Sequence, residues 1–231
     1  MVAIVPSIVV GAFFASAVLS GKTIGVPPIV VGVIIWVCFT VYYIQRIFRL
    51  LSERRNLRLG LDGESAVAEE LNKLMFSGYH VYHDFPAEKF NIDHILIGPA
   101  GVFAVETKTR SKRIAARGKS SVEITYDGKS LSFPDGYHDV KPLTQAKDQA
   151  SWLEKWLSSA VGEKVKVEPI VTIPGWFVKR TSPEGMAVLN PKKGIESYIT
   201  SRPKNILSDA MIKRIVHQID QRCRNIEPKE R

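Results

Sequence analysis

The stretch that decides the fold is residues 91–108, with the sequence NIDHILIGPAGVFAVETK. Two short runs rich in valine and isoleucine flank a Gly/Pro turn at residues 98–101, and this pattern predicts two strands of a β-hairpin. Side chains alternate between the two faces of a strand, so Glu106 and Lys108 share one face. Asp93 falls on the neighbouring strand, within reach of both. The hairpin therefore gathers an aspartate, a glutamate and a lysine at one end.

This residue set is typical of a site that binds a divalent cation for phosphodiester hydrolysis, a reaction that needs the charge building on phosphorus to be neutralised. Mg²⁺ (or Mn²⁺) takes oxygen ligands and keeps several waters, so Asp93 and Glu106 suffice as protein carboxylates. The carbonyl of Thr107 is a further candidate ligand. Lys108 can orient or deprotonate a water, or stabilise the transition state. The plain alternative is a structural ion pair between Asp93 and Lys108.

Patterns outside the hairpin predict an α/β fold with a mixed central sheet flanked by helices. One helix is expected to begin at Asp62, as its N-cap, and to end at Gly78. Apolar periodicity predicts two later helices, and β-branched runs predict the remaining strands. The predicted strands are residues 80–85, 165–173, 175–178 and 186–189, with a hairpin at 119–133, and the later helices are 143–159 and 208–224.

The N-terminal region contains two uncharged apolar runs, residues 2–20 and a second one that extends to about Gln45. Each run has roughly the 17–25 residues that a helix needs to cross a bilayer. We therefore predict two transmembrane helices that form a hairpin over residues 1–45. A cleaved signal peptide fits poorly, because no basic segment precedes the first run. The remaining alternative is a single span preceded by a removed or interfacial segment.

Basic residues predict the orientation of this hairpin. Residues 46–58 contain five arginines and one acid, whereas Lys22 alone marks the loop between the apolar runs. The positive-inside rule places the soluble domain, residues 59–231, in the cytoplasm at the inner membrane, as part of a multi-pass protein. These arginines are expected to contact anionic lipid. Of the net charge of +9, about +4 remains on residues 59–231, which permits a nucleic-acid substrate but does not demand one. The two cysteines, Cys38 and Cys223, are consistent with a reducing compartment.

The segments at residues 63–64, 91–95, 105–108 and 141–145 resemble the nuclease-related domain (NERD) family, which is similar to PD-(D/E)xK nucleases. The resemblance implies a nuclease-like central sheet with an active site at one edge. Glu64 would be an acid near the metal, and Gln145 would steer substrate or water. From the residues alone, Glu64 can also be a first-turn acid and Gln145 an ordinary helix residue. The implied site residues are Glu64, Asp93, Glu106, Lys108 and Gln145.

A basic loop directly follows the second strand of the hairpin. Such a loop can bind phosphates and make nucleic-acid binding sensitive to salt, or it can be a solvated connection. The candidate residues for nucleic-acid binding are Arg110, Lys112, Arg113, Arg117 and Lys119.

Three functions are consistent with these patterns. The leading hypothesis is a membrane-anchored, metal-dependent nuclease that acts on DNA in the cytoplasm, with a homodimer or two sequential cuts for duplex cleavage. The alternative is an inactive module that binds nucleic acid or protein at the membrane. The third is a structural membrane protein in which Asp93 and Lys108 only pair with each other.

Overall fold

The computed structural model describes residues 11–12, 26–112 and 122–224. The chain divides into two compact units, with the division after Arg58. Helix α1 comprises Val26–Lys73 and is followed by a 3-10 turn at Leu74–Ser77. The helix start predicted at Asp62 is wrong, because Asp62 lies inside α1. Residues 29–85 contain no proline, and the glycines of this region weaken a helix by only about 1 kcal/mol each, so nothing there stops it.

One helix among the described residues is long and apolar enough to cross a membrane, judged by its length and composition. This apolar helix covers Gly32–Ser77, which is the greater part of α1 together with the 3-10 turn that follows it. Large apolar side chains such as Ile34, Phe39 and Phe48 are exposed along it. The first of the two predicted spans, residues 2–20, lies outside the described residues apart from Gly11 and Ala12. The structure therefore describes one apolar helix and not two transmembrane helices.

The larger sheet is mixed, as predicted. In spatial order its strands are β1 His80–Pro86, β2 Asn91–Gly98, β3 Gly101–Thr107, β7 Val167–Thr172 and β9 Ala187–Leu189. Strands β1, β2 and β3 are antiparallel, whereas β7 and β9 continue the sheet in parallel with β3. The predicted hairpin is confirmed, with Gly98 paired to Gly101 at its turn. Every residue of β3 is buried.

A second, four-stranded sheet was not expected from the sequence. In spatial order its strands are β6 His138–Asp139, β5 Leu131–Ser132, β4 Glu123–Tyr126 and β8 Phe177–Arg180. Strand β4 is parallel to β8. Within the predicted hairpin, β4 and β5 are antiparallel and the chain turns at Asp127 and Gly128. The Asp127 carboxylate accepts hydrogen bonds from two backbone amides of the turn, and Gly128 has a φ of 91°. The chain leaves the larger sheet after β7 at Gly175, which has a φ of 80° that favours glycine.

Helices cover both faces of the larger sheet. Helix α2, Lys141–Val161, and helix α4, Asp209–Arg224, pack on one face through the apolar sides that the sequence predicts. The other face packs against Val67 and Leu71 of α1 and against short helices that the sequence did not indicate. These are a π-helical turn at Pro191–Ile195 and α3 at Glu196–Thr200. Ala104 of β3 faces α2 and Val105 faces α1, so the next residue, Glu106, points towards α2.

Gly63 allows α1 to approach the end of β3 closely. The residue is buried, and a Cβ atom added there would overlap the Thr109 methyl group. Gly60, three residues earlier in the same helix, has no atom within 4 Å of an added Cβ. The contact between Gly63 and Thr109 therefore sets how near Glu64 comes to the strand that carries Glu106.

We expect Gly63→Ala to destabilise the protein by about 1–3 kcal/mol, because the new methyl group must displace Thr109. Chemical denaturation of the full-length protein in detergent, followed by circular dichroism, measures this change. Gly60→Ala is the matched control and should stabilise α1 by about 0.5–1 kcal/mol. A Thr109→Ala substitution in the Gly63→Ala background should recover much of the loss. Equal effects of the two glycine substitutions would contradict this account.

Candidate active site

Asp93 and Glu106 lie opposite each other at the end of the hairpin. His94 pairs with Val105 in the register of β2 and β3, and the next position in this register places Asp93 beside Glu106. Both side chains are on the sheet face that carries α2, because Ile95 and Ala104 on that face pack against α2. Asp93 Oδ2 accepts a hydrogen bond of 2.7 Å from the backbone amide of Thr107. The two candidate carboxylates are therefore brought together by strand pairing.

Helix α2 holds the carboxyl group of Glu106. Gln145 and Gln149 lie one helical turn apart, and their Nε2 atoms donate to Glu106 Oε2 at 3.1 Å and 2.8 Å. Glu106 is 5% exposed, so these amides replace part of the hydration that the carboxyl group loses on burial. Gln145 was identified from the sequence by resemblance only. No sequence signal indicated the contact of Gln149 with Glu106.

Burial raises the pKa values of both carboxyl groups. Burial raises the pKa of Glu106 to about 8, and the nearby charge of Asp93 adds to the increase, although Gln149 and Lys108 oppose it. Burial likewise raises the pKa of Asp93 to about 6, opposed by the Thr107 amide and assisted by Glu64 and Asp84. At neutral pH Glu106 therefore holds a proton most of the time while Asp93 is mainly ionised.

Two further acids border this pair. Glu64 projects from α1, and its pKa is raised by burial and by the charge of Asp84. Asp84 occupies the position of β1 that the strand register places opposite Asp93, with a φ of 50°. Its Oδ1 atom accepts a hydrogen bond of 2.6 Å from Asn91 Nδ2. Sequence reasoning missed Asp84. Aligning the alternating inward and outward side chains of β1 with those of β2 could have placed it opposite Asp93.

Lys108 lies beyond the end of β3, where its backbone amide donates to the carbonyl of Thr172 at 2.8 Å. Its Nζ atom is 3.9 Å from Oδ2 of Asp139. Asp139 is 6% exposed, and its Oδ1 atom accepts a hydrogen bond from the Lys141 amide at the start of α2. Among the described residues, the ion pair of Lys108 is thus with Asp139 and not with Asp93. Asp139 is a second residue that sequence reasoning missed.

The donor atoms of this site are suited to a hard cation. Among residues 26–112 and 122–224, no group of three or more His, Cys, Asp or Glu side chains is arranged to hold a metal ion. Mg²⁺ retains several waters, so it needs only one or two carboxylates from the protein. Asp93, Glu106 and the Thr107 carbonyl supply oxygen donors of this kind. The pKa values of both carboxyl groups are raised mainly by burial and further by neighbouring acids, and a bound cation would oppose both effects.

In the described part of the basic loop, Arg110 contacts other residues of the same domain. The Arg110 guanidinium lies 4.5 Å from the Phe133 ring centroid and 4.2 Å from that of Tyr137. It also forms an ion pair of 2.7 Å with Asp135. Lys112 is exposed. The other three residues predicted to bind nucleic acid lie outside the described residues: Arg113, Arg117 and Lys119.

The raised pKa of Glu106 predicts a pH-dependent stability. Between its usual pKa of 4.5 and the folded value of about 8, the folded protein keeps a proton that the unfolded chain releases. The stabilisation is therefore complete below 4.5 and is lost as the pH rises towards 8. We expect the Tm of the full-length protein in chelator to fall between about pH 5 and about pH 8, and to fall much less in Glu106→Gln.

A thermal melt series measures this difference, and Glu123→Gln, in the second sheet, is the control that should keep the wild-type dependence. Any slope that remains in Glu106→Gln should be largest below about pH 6, where Asp93 titrates. Parallel curves for the wild type and Glu106→Gln would show that Glu106 is not the group responsible.

Comparison with known proteins supports one assignment. A family model, the nuclease-related domain, matches residues 59–174 of the chain. This range includes α1 from Leu59 onwards, the hairpin, α2 and β7, and so it contains all the acids and amides of the site described above. No curated protein and no solved structure matches the chain. The chain belongs to the nuclease-related domain family.

Proposed function

We propose that this protein is a metal-dependent nuclease that hydrolyses phosphodiester bonds of DNA. The observation that carries the proposal is the position of Asp93 beside Glu106 at one end of the sheet, with Lys108 directly after the strand that carries Glu106. A buried and a half-buried carboxyl group with raised pKa values, together with an adjacent lysine, are expected of a functional site more than of a structural one. The nuclease-related family supports the same reaction class.

Asp93, Glu106 and the Thr107 carbonyl would hold Mg²⁺ or Mn²⁺. When bound, the cation would supply neutralising charge at the phosphate and a more acidic water. Gln145 and Gln149 hold the Glu106 carboxyl group by donating to its Oε2 atom. Glu64 and Asp84 add negative charge beside this pair and favour a cation there. The chain thus contributes oxygen donors on a rigid strand and amides that fix their direction.

Lys108 is the cation that the chain itself provides. Its ion pair with buried Asp139 anchors the ammonium group near Glu106, whose pKa it lowers. A fixed ammonium group can bind a phosphate oxygen and stabilise the charge that develops on it. It can also donate a proton to the leaving oxygen. Asp139, which also accepts from the first amide of α2, acts as a positioning residue for Lys108.

We also propose that α1 anchors the protein in the inner membrane, with the nuclease domain in the cytoplasm. The apolar side chains of α1 are exposed, and the same helix then carries the arginines of residues 46–58. Positive charge after an apolar helix favours the cytoplasmic side. Tethering of this kind would restrict the enzyme to DNA near the membrane surface.

We expect Asp93→Asn, Glu106→Gln and Lys108→Met each to reduce DNA cleavage by roughly 100-fold or more, since each removes a proposed metal ligand or the ammonium group beside it. The assay uses the full-length protein in detergent with supercoiled plasmid and single-stranded DNA, in Mg²⁺, in Mn²⁺ or in chelator. Glu123→Gln is the matched control and should cut at the wild-type rate.

Metal-dependent cutting that is lost in all three variants and kept in Glu123→Gln would establish the activity and its site together. Cutting that persists in the variants would contradict the proposal. Absence of wild-type cutting, combined with DNA retention in chelator, would replace the nuclease with the binding module considered from the sequence.

A further inference from the structure

Two cavities meet at Phe90, in the connection between β1 and β2. Phe90 is 37% exposed, and its ring stands edge-on to Trp152 with 5.7 Å between centroids. One cavity, of about 340 Å³, lies between Phe90 and the first half of α2. The other, of about 620 Å³, lies between the same connection and α4. Both volumes are within the range of sites for small organic ligands, about 300–1,000 Å³.

The smaller cavity borders the residues that hold Glu106. Its lining includes Gln145 and Gln149, the two residues that donate to Glu106. Gln149 is 2% exposed, and its Oε1 atom has no hydrogen-bond partner among the described residues. An unpaired buried acceptor is costly, and a donor group of a bound ligand would satisfy it. Lys141 adds a positive charge to the same wall.

The larger cavity has an aromatic and cationic wall. Trp152 and Trp156 are stacked almost in parallel, with an interplanar angle of 3° and centroids 6.0 Å apart. The Arg222 guanidinium lies 5.3 Å from both ring centroids and donates from Nε to the Pro86 carbonyl at 2.9 Å. These contacts hold Trp156 and Arg222 rigidly where they line the cavity. Lys89 lies at its edge, beside Phe90.

We propose that the two cavities bind unpaired nucleotides of a single-stranded nucleic acid on either side of Phe90, so that the strand leads to Glu106. The inference rests on the proposed nuclease function, because it names the form of that substrate. An aromatic ring accepts the face of any base, and lysine and arginine contact the backbone. Duplex bases are stacked on each other and cannot present their faces to Phe90 without leaving the helix.

The charges around the cavities indicate how much of the affinity for a single strand comes from base stacking and how much from phosphate contacts. Lys89, Lys141 and Arg222 are opposed by Glu88 and Asp148, so the lining has a small net positive charge. Stacking therefore carries more of the affinity than phosphate contacts, and the dependence of binding on salt is shallow. This balance also favours single strands, since a duplex offers proteins mainly its charged backbone.

The test measures binding of the full-length protein in detergent, with chelator present to prevent cleavage. The probes are a short fluorescent oligothymidylate and a blunt duplex of equal length, followed by fluorescence anisotropy. Phe90→Leu should weaken binding of the single strand by about 5- to 150-fold, because it keeps an apolar side chain and removes the aromatic face. Phe90→Trp should restore it. Phe76→Leu, at a phenylalanine that is 97% exposed elsewhere, should bind as the wild type does.

Lys89→Gln provides a second measurement that does not alter the aromatic contacts. It should reduce the slope of log K against log salt for the single strand by about 0.7. Wild-type binding of the single strand by Phe90→Leu, or duplex binding with the same dependence on Phe90, would overturn the proposal.

The outcome is separable from that of the nuclease assay. If the wild type cuts DNA in Mg²⁺ while Phe90→Leu binds normally, the cavities are not the strand site and the nuclease assignment stands. If the wild type does not cut but binds the single strand through Phe90, the cavity proposal stands and the nuclease assignment fails.

Discussion

The buried carboxyl group of Glu106 is the constraint on which the rest of this site depends. The side chain is only 5% exposed, and burying its ionised form is costly unless the carboxylate is hydrogen-bonded or bound to a cation. Protonation avoids this cost. The fold provides amide donors from Gln145 and Gln149, and burial favours the proton. Because both donors come from one face of α2, that helix must present this face to β3. The packing of α2 on the sheet and the orientation of Glu106 are therefore one structural feature.

Several acidic side chains of the described residues accumulate negative charge around Glu106. Glu64, Asp84 and Asp93 all face the same region, and each raises the pKa of at least one of its neighbours. Lys108 is the nearby lysine, and it also pairs with Asp139. Such an arrangement lowers stability at neutral pH, since like charges repel in a buried setting. Its retention in a folded domain is understandable if a divalent cation binds there, as we propose.

The distribution of positive charge separates two kinds of contact. Residues 46–58, with five arginines and one glutamate, carry +4 of the net charge of +9. Arg110, at the start of the basic loop, packs against two aromatic rings. The cavities beside Phe90 are nearly balanced in charge and are lined by aromatic rings and amides. Attraction to anionic lipid and recognition of unpaired bases would thus use different parts of the protein.

The sequence by itself determined the features that depend on local periodicity. The alternation in residues 91–108 was enough to predict the hairpin and to place Asp93 near Glu106, and the apolar face of α2 was readable from its spacing. The continuity of α1 through Asp62 was not, because a favourable N-cap residue does not end a helix when the residues before it can also adopt the helical conformation.

Only the tertiary structure decided which distant residues complete the site. Asp84 joins Asp93 through the register of β1 against β2, and Asp139 reaches Lys108 from the second sheet. Gln149 reaches Glu106 because α2 lies across β3 with a particular rotation. Each of these contacts links residues that are 9–43 positions apart, and loop geometry, which propensity does not encode, sets their final distance. Local patterns therefore predicted the strands that carry the acids, and long-range packing selected their partners.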